Sequence, residues 1–295
     1  MTTTVHTHPL ISIRSGATVQ EAARLMADCS IGALGVLDPN QEFSGIVTER
    51  DLSSFVAHGE NPSETLIADI TNAAPVIVQG PIQDSDALDR MCKSHVRHLI
   101  VREGDDFRIV SIRDVVPSKD ENTTRLVVRD VMSAPAIACR AEAFFEEVAQ
   151  ILSDRDISGM PVVDRAGQIV GVISERDLAH ALGGPMVRLS LRRHSKRPLH
   201  GVTGLPRGAR RAKDIMTTPA VTIPPGTDLD VAARLLHLFE ISRIPVVEEG
   251  RLLGVVTRGD VLGAIAHLKH TKIDLTAPPV LVGNSGVVSS SGMQF

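Results

Sequence analysis

The chain has 295 residues, enough to bury a sizeable core and, by length alone, to form about two domains. Apolar residues make up 43%, yet no apolar run approaches the roughly 20 residues that cross a bilayer, and the Thr- and His-containing start has no signal-type apolar core, so a cytoplasmic protein with no membrane span is expected. The formal charge of −4 hides an imbalance: residues 183–213 carry nine Arg or Lys and no acid, leaving 22 bases against 35 acids, a net −13, on the rest.

The first predicted strand covers residues 10–13. It belongs to a unit that closes on Gly45-Ile46-Val47-Thr48-Glu49-Arg50-Asp51, an apolar strand running into a hydroxyl residue with a carboxylate three positions later. A second unit opens with a strand at 76–78 and passes His95-Val96-Arg97-His98 into a strand at 99–101. It closes on Arg108-Ile109-Val110-Ser111-Ile112-Arg113-Asp114.

In the third unit, residues 135–139 read as a strand, and 142–154 as a helix with Phe145, Val148, Ile151 and Leu152 on one stripe. Strands at 160–163 and 169–173 flank a turn at 164–167. The closing phrase is Gly171-Val172-Ile173-Ser174-Glu175-Arg176-Asp177, and its helix, 175–182, stops at Gly183-Gly184. The fourth unit repeats the pattern with a strand at 221–223, a helix at 228–239, a hairpin around Glu248-Glu249-Gly250, the phrase Gly254-Val255-Val256-Thr257-Arg258-Gly259-Asp260, and a helix at 259–268.

The phrase Asp residues are separated by 63, 63 and 83 positions, and the extra 20 coincide with the basic segment. One unit copied four times is the economical reading. The order strand, helix, strand, strand, helix gives an α+β fold, and sheets this small cannot bury both faces alone, so neighbouring units are expected to pair. The expected modules are 1–120, with units at 7–58 and 67–118, and 121–270, with units at 128–183 and 212–268 around a basic insertion at 184–211. Residues 271–295 are expected to form a mobile tail, with an edge strand at 280–282 as the alternative.

This pattern resembles the CBS domain family, whose paired units are called Bateman modules. The resemblance rests on the fourfold phrase, on Met160-Pro161-Val162-Val163-Asp164 and Ile244-Pro245-Val246-Val247-Glu248, and on Val131-Met132-Ser133-Ala134-Pro135 and Ile215-Met216-Thr217-Thr218-Pro219. It implies a regulatory module that binds an adenine nucleotide (AMP, ADP, ATP) or S-adenosylmethionine between paired units, with two paired modules assembling into a disc; a homodimer and a regulated protein partner are expected. By the same resemblance Asp51, Asp114, Asp177 and Asp260 take the ribose hydroxyls, Thr48, Ser111, Ser174 and Thr257 lie by the ribose or phosphate, and Arg97, His98 and Arg243 face the phosphates.

The chemistry is compatible, since a carboxylate accepts from two neighbouring hydroxyls and a helix start offers free N–H groups to phosphate. Ser/Thr-x-x-Asp is equally a capping box, and that reading stays open for every copy. Intact Gly and Pro positions favour the third and fourth copies as ligand sites. Arg108 in place of the phrase Gly weakens the second, and the first ranks last. Arg50, Arg113, Arg176 and Arg258 are expected to be solvated helix-end residues.

The His pairs 6/8, 95/98 and 267/270 lack partners at metal-ligand spacing, and no phosphate-loop, nucleophile-elbow or HExxH motif appears. Neither catalysis nor a catalytic cofactor is therefore expected. Cys29, Cys92 and Cys139, odd in number and far apart, predict reduced, packed thiols. The absence of Trp and Tyr argues against base stacking. Arg188, Arg192, Arg193, Lys196, Arg197, Arg207, Arg210 and Arg211 nevertheless leave open a sequence-blind contact with nucleic acid, and an assembly module with vestigial pockets is a third reading.

Overall fold

The computed structural model describes residues 4–115, 126–183, 210–265 and 280–282. In the first unit, β1 (His8–Pro9) and β2 (Ser12–Arg14) precede α1 (Val19–Cys29), β3 (Ala33–Leu37), β4 (Phe43–Thr48) and α2 (Glu49–His58). The second holds β5 (Ile77–Gln79), α3 (Asp84–Lys93), β6 (His98–Glu103) and β7 (Asp106–Ser111), and its phrase ends in a turn within the described residues rather than a helix. The third holds β8 (Ile137–Arg140), α4 (Phe145–Asp154), β9 (Gly159–Val163), β10 (Ile169–Ser174) and α5 (Glu175–Gly183). After α6 (Ala212–Ile215), the fourth has α7 (Leu229–Leu238), β11 (Arg243–Glu248), β12 (Arg251–Thr257) and α8 (Arg258–Ile265); β13 (Val280–Val282) follows.

The repeat is thus a repeat of structure. In the first three units an opening strand lies parallel to the next, which turns antiparallel into the phrase strand: β2 on β3 and β3 on β4, β5 on β6 and β6 on β7, β8 on β9 and β9 on β10. The fourth keeps the β11–β12 hairpin, but its expected opening strand is reduced to one parallel bridge from Ile223 to Val246. Residues 280–282 are strand: β13 pairs parallel with β8, which corrects the tail reading for those three, while the rest of 271–295 lies outside the described residues.

The units exchange chain at their edges. β1 of the first unit pairs with β7 of the second, and Asn72, leading into the second, bridges Ile46 of the first. Thr217 likewise bridges Val172 in the third unit, and Ser133 bridges Val255 in the fourth.

These crossings explain the phrase glycines. A Cβ on Gly45 would stand 2.5 Å from the Asn72 carbonyl oxygen, one on Gly171 would stand 2.8 Å from that of Thr217, and one on Gly254 would stand 2.6 Å from that of Ser133. In these three units the glycine makes room for a crossing backbone. In the second unit Arg108 sits opposite Pro9, and its guanidinium reaches around the incoming segment to Thr7, donating from Nε to Oγ1 at 2.6 Å and from Nη2 to the carbonyl at 2.8 Å.

Two kinds of core result. Apolar sheet faces meet within the first two units, where Ala33, Ile46 and Ile100 cluster with Phe43 and Phe107, and within the last two, where Ala136, Ala138 and Val163 meet Leu252 and Val255. Helices meet between the first and third units: Met26, Leu52 and Val56 share a buried cluster with Phe145, Val148, Leu152, Leu178 and Leu182. Burying such amphipathic stripes is what holds short helices in place, because ten-residue helices are marginal by themselves. Cys139 is packed and its thiol is pushed up to about 12 by burial, whereas Cys29 and Cys92 are exposed, contrary to expectation.

Candidate functional site

Each phrase strand delivers its hydroxyl residue to the start of the following helix or turn. Strand pairing sets a fixed neighbour opposite it: Ala33 opposite Thr48, His98 opposite Ser111, Gly159 opposite Ser174, and Arg243 opposite Thr257. The positively charged or imidazole side chains therefore come from the even-numbered units and the small residues from the odd.

The capping reading is realised in the first, third and fourth copies. Thr48 donates its backbone N–H and its Oγ1–H to Asp51 Oδ2, both at 2.7 Å, and the Asp51 N–H returns to Thr48 Oγ1 at 3.4 Å. Ser174 makes the same exchange with Asp177, and Thr257 with Asp260. In the second copy the Ser111 N–H donates to Asp114 Oδ2 at 2.7 Å, while Ser111 Oγ accepts from the Arg113 N–H at 3.3 Å.

The four carboxylates then differ in what reaches their other oxygen. His8 Nε2 lies 3.0 Å from Asp114 Oδ1, so the N-terminal segment touches the second copy. Thr217 Oγ1 donates to Asp177 Oδ1 at 3.3 Å, and burial pushes Asp177 up to about 6 despite the Ser174 hydrogen bonds. Asp51, raised by burial, lines an open cleft of about 120 Å³.

That cleft joins the first two units. Thr48, Arg50 and Asp51 of the first unit form one wall, and His95, Arg97 and His98 of the second form another, with Ile46, Val76 and Val96 supplying apolar surface. The copy ranked last from sequence therefore combines with the basic residues of the copy with the altered backbone. Burial, with Arg97 beside it, pushes His98 down to about 4, so it is neutral at pH 7 and acts there only as a hydrogen-bond group.

Arg243 is buried beneath Gly159, donates from Nη2 to Ser158 Oγ at 2.6 Å, and is lowered to about 10 by burial and by Arg97, which leaves it charged. Its guanidinium thus ends in the third unit, near Asp177, although its backbone pairs opposite Thr257 of its own.

The phrase arginines are held by protein partners rather than left as free helix-end residues. Arg50 donates from Nε to Glu175 Oε1 at 3.1 Å and from Nη1 to Asp156 Oδ1 at 2.7 Å. Arg176 donates from Nε to Glu49 Oε1 at 2.7 Å, so the first and third phrases exchange ion pairs across the helix interface. Arg97 Nη2 ends on Glu175 Oε2. Arg113 reaches Ser242 Oγ at 3.4 Å and is pushed down to about 10 by burial and by Arg176, and Arg258 donates to the Leu236 carbonyl at 3.0 Å.

Glu49 and Glu175 are buried, 7% and 4% exposed. Sequence reasoning passed over both, and their one signal was Glu in the same phrase position of the first and third units and in neither of the others.

Two of the basic-segment residues lie in the described chain, and both have intramolecular partners. Arg210 Nη1 donates to the Ala181 carbonyl; Arg211 Nη1 donates to the Glu142 carbonyl at 3.1 Å, with its guanidinium 3.4 Å above the Phe144 ring. Part of each guanidinium is thus engaged within the chain. The other six, and His267 and His270, lie outside the described residues. Among the described residues no helix is long and apolar enough to cross a membrane.

The units are built on strand-helix-strand-strand cores packed edge to edge, with a polar cleft between the first two, which makes this a multi-unit α+β repeat architecture. The CBS domain model matches residues 3–58, 128–184 and 212–267, more than half of the chain, and the chain belongs to that family. The second unit is not among the matched segments.

The chain is 27% identical over 168 residues to the uncharacterized protein MJ1426 of Methanocaldococcus jannaschii, covering 52% of this chain and 99% of that one. It is 27% identical over 136 residues to the L-aspartate semialdehyde sulfurtransferase of the same organism, but spans 22% of that enzyme and 46% of itself. Among solved structures, protein MJ1225 of M. jannaschii matches with a TM-score of 0.71 at 19% identity, covering 88% of this chain and 97% of that one, a likeness of fold.

Proposed function

We propose that this chain is a non-catalytic regulatory module, cytoplasmic in location, that binds an adenine nucleotide or S-adenosylmethionine and transmits occupancy through the packing of modules 1–120 and 121–270. The carrying observation is the cleft in which Thr48 and Asp51 of one unit face Arg97 and His98 of another. Asp51 suits a ribose diol, Arg97 offers forked donors to a phosphate, and the apolar wall of Ile46, Val76 and Val96 suits a base. Asp114, Asp177 and Asp260, with Ser111, Ser174, Thr257 and Arg243, form the equivalent half-sites.

A ligand shifts the packing only by its difference in affinity for the two arrangements, so the regulated partner, or a second copy of the chain, must read a change at the module boundary. Isothermal titration with AMP, ADP, ATP and S-adenosylmethionine tests the reading. Binding below about millimolar that is lost in Asp51→Ala supports the cleft as the site; no binding by any of the four, or binding indifferent to Asp51→Ala, Asp177→Ala and Asp260→Ala alike, ends the reading.

A further inference from the structure

Two guanidinium groups line the cleft, Arg50 and Arg97, and both end on the same carboxylate. That carboxylate, Glu175, belongs to neither unit that builds the cleft. It comes from the start of α5 in the third unit and is 4% exposed. Arg50 and Arg97 are themselves partly open to solvent, with 39% and 29% of their side chains accessible, so their cleft-facing sides remain reachable. The arrangement places a buried anion directly behind the cations that a ligand's phosphate would use.

From this we infer that Glu175 is a specificity-determining residue of the first module's cleft: an internal anion that pre-occupies Arg50 and Arg97 and sets how much phosphate charge the cleft accepts. The inference rests on the nucleotide reading above for the identity of the natural ligand, but its physical core does not. A phosphate brings more charge and more acceptor oxygens than a carboxylate, and so competes for the same N–H donors. A carboxylate held within reach of those donors also repels the incoming anion, and with little water between them that repulsion is weakly screened.

The wiring has a consequence for signalling. A phosphate that draws Arg97 away from Glu175 loosens a contact between the first module's cleft and the third unit, on the other side of the helix interface. Occupancy and inter-module packing are then linked, and linkage works in both directions.

The decisive variant is Glu175→Gln, which keeps the shape and an acceptor oxygen but removes the charge. Calorimetry on the full chain would compare AMP, adenosine and inorganic pyrophosphate against wild type, Glu175→Gln, and Glu175→Gln combined with Arg97→Ala.

The expected result is an approximately tenfold tightening of AMP and pyrophosphate in Glu175→Gln, with adenosine unchanged and the gain abolished by Arg97→Ala. A general loosening of the cleft would move adenosine together with AMP and would overturn the inference. Unchanged AMP and pyrophosphate affinities would also overturn it, while leaving the nucleotide reading intact if AMP binding still depends on Asp51. Pyrophosphate tightening without any binding of AMP or adenosine would sustain the role of Glu175 and remove the nucleotide. Melting curves guard against misfolding: the variant should melt lower than wild type in buffer and be raised further by pyrophosphate.

Discussion

The guanidinium of Arg243 occupies the space that a side chain at Gly159 would need. A Cβ built on Gly159 overlaps Arg243 Nη1 and crowds the Ile173 carbonyl, and Arg243 is only 6% exposed, so it has no open side to which it can retreat. Residue 159 is Gly for two reasons: its own unit sets the Ile173 carbonyl against the place where a Cβ would stand, and the fourth unit inserts a cation into the same space. Gly159→Ala should destabilise the protein by about 1–3 kcal/mol, the usual cost of overpacking, and the loss should shrink in an Arg243→Ala background. Urea denaturation of the two single variants and the double variant would decide it; additive losses would refute the steric account.

The exchanged ion pairs make an acid-sensitive joint. Burial alone would raise Glu49, but Arg176, with Arg113 and Arg97, outweighs it and holds the carboxylate below its ordinary value of 4.5. A depressed carboxylate contributes stability above its unfolded pKa and loses it as pH falls through the folded one. Arg176→Ala should therefore cost about 2–3 kcal/mol at pH 7, the penalty of leaving a buried charge without its partner, and the gap from wild type should narrow below about pH 4.5. A gap that stays constant from pH 7 to pH 3.5 would count against this.

Asp177 has the opposite sign. Burial raises it to about 6, outweighing the Ser174 hydrogen bonds, so the folded state favours the protonated form. Its contribution is fully present below the unfolded value of 3.8 and is lost as pH rises through about 6. Asp177→Asn, which can still accept from Ser174, should be more stable than wild type by on the order of 1 kcal/mol at pH 7.5, and the advantage should vanish near pH 4. Thermal melts across that range supply the measurement, and a wild type that is the more stable protein throughout would contradict it.

The capping boxes predict a modest, distributed cost. Removing the hydroxyl in Thr48→Val, Ser174→Ala or Thr257→Val should lower stability by about 1 kcal/mol each, since each leaves a helix-start N–H without its acceptor. Ser111→Ala should cost less, because Ser111 Oγ accepts from the Arg113 N–H rather than from that of Asp114, and among the described residues no helix follows it. Equal losses at all four positions would argue that the hydroxyls act through something other than the cap.

Much of the fold was legible because each unit carries a local pattern: short apolar runs for β9 and β10, a 3.6-residue stripe for α4, and a hydroxyl and carboxylate three apart at the start of α5. These depend on neighbours within a dozen residues. The expected opening strand of the fourth unit failed, since Ile223 makes a single bridge, and the strand at 280–282 was underweighted, because a three-residue strand is decided by whether an edge such as β8 is open to it.

By itself the sequence determined the repeated phrase, most of the order of elements, the family, and the residue types available to the proposed site. Only the tertiary structure decided which of them meet. It joined Asp51 to Arg97 and His98 in one cleft, sent Arg243 to the third copy, set the Asn72, Thr217 and Ser133 backbones against the phrase glycines, and placed Glu175 behind two cations of another module. The reason is physical: hydrogen-bonded caps and amphipathic stripes are written in short-range spacing, whereas charge pairing across an interface depends on how helices and sheet faces far apart in the chain pack together.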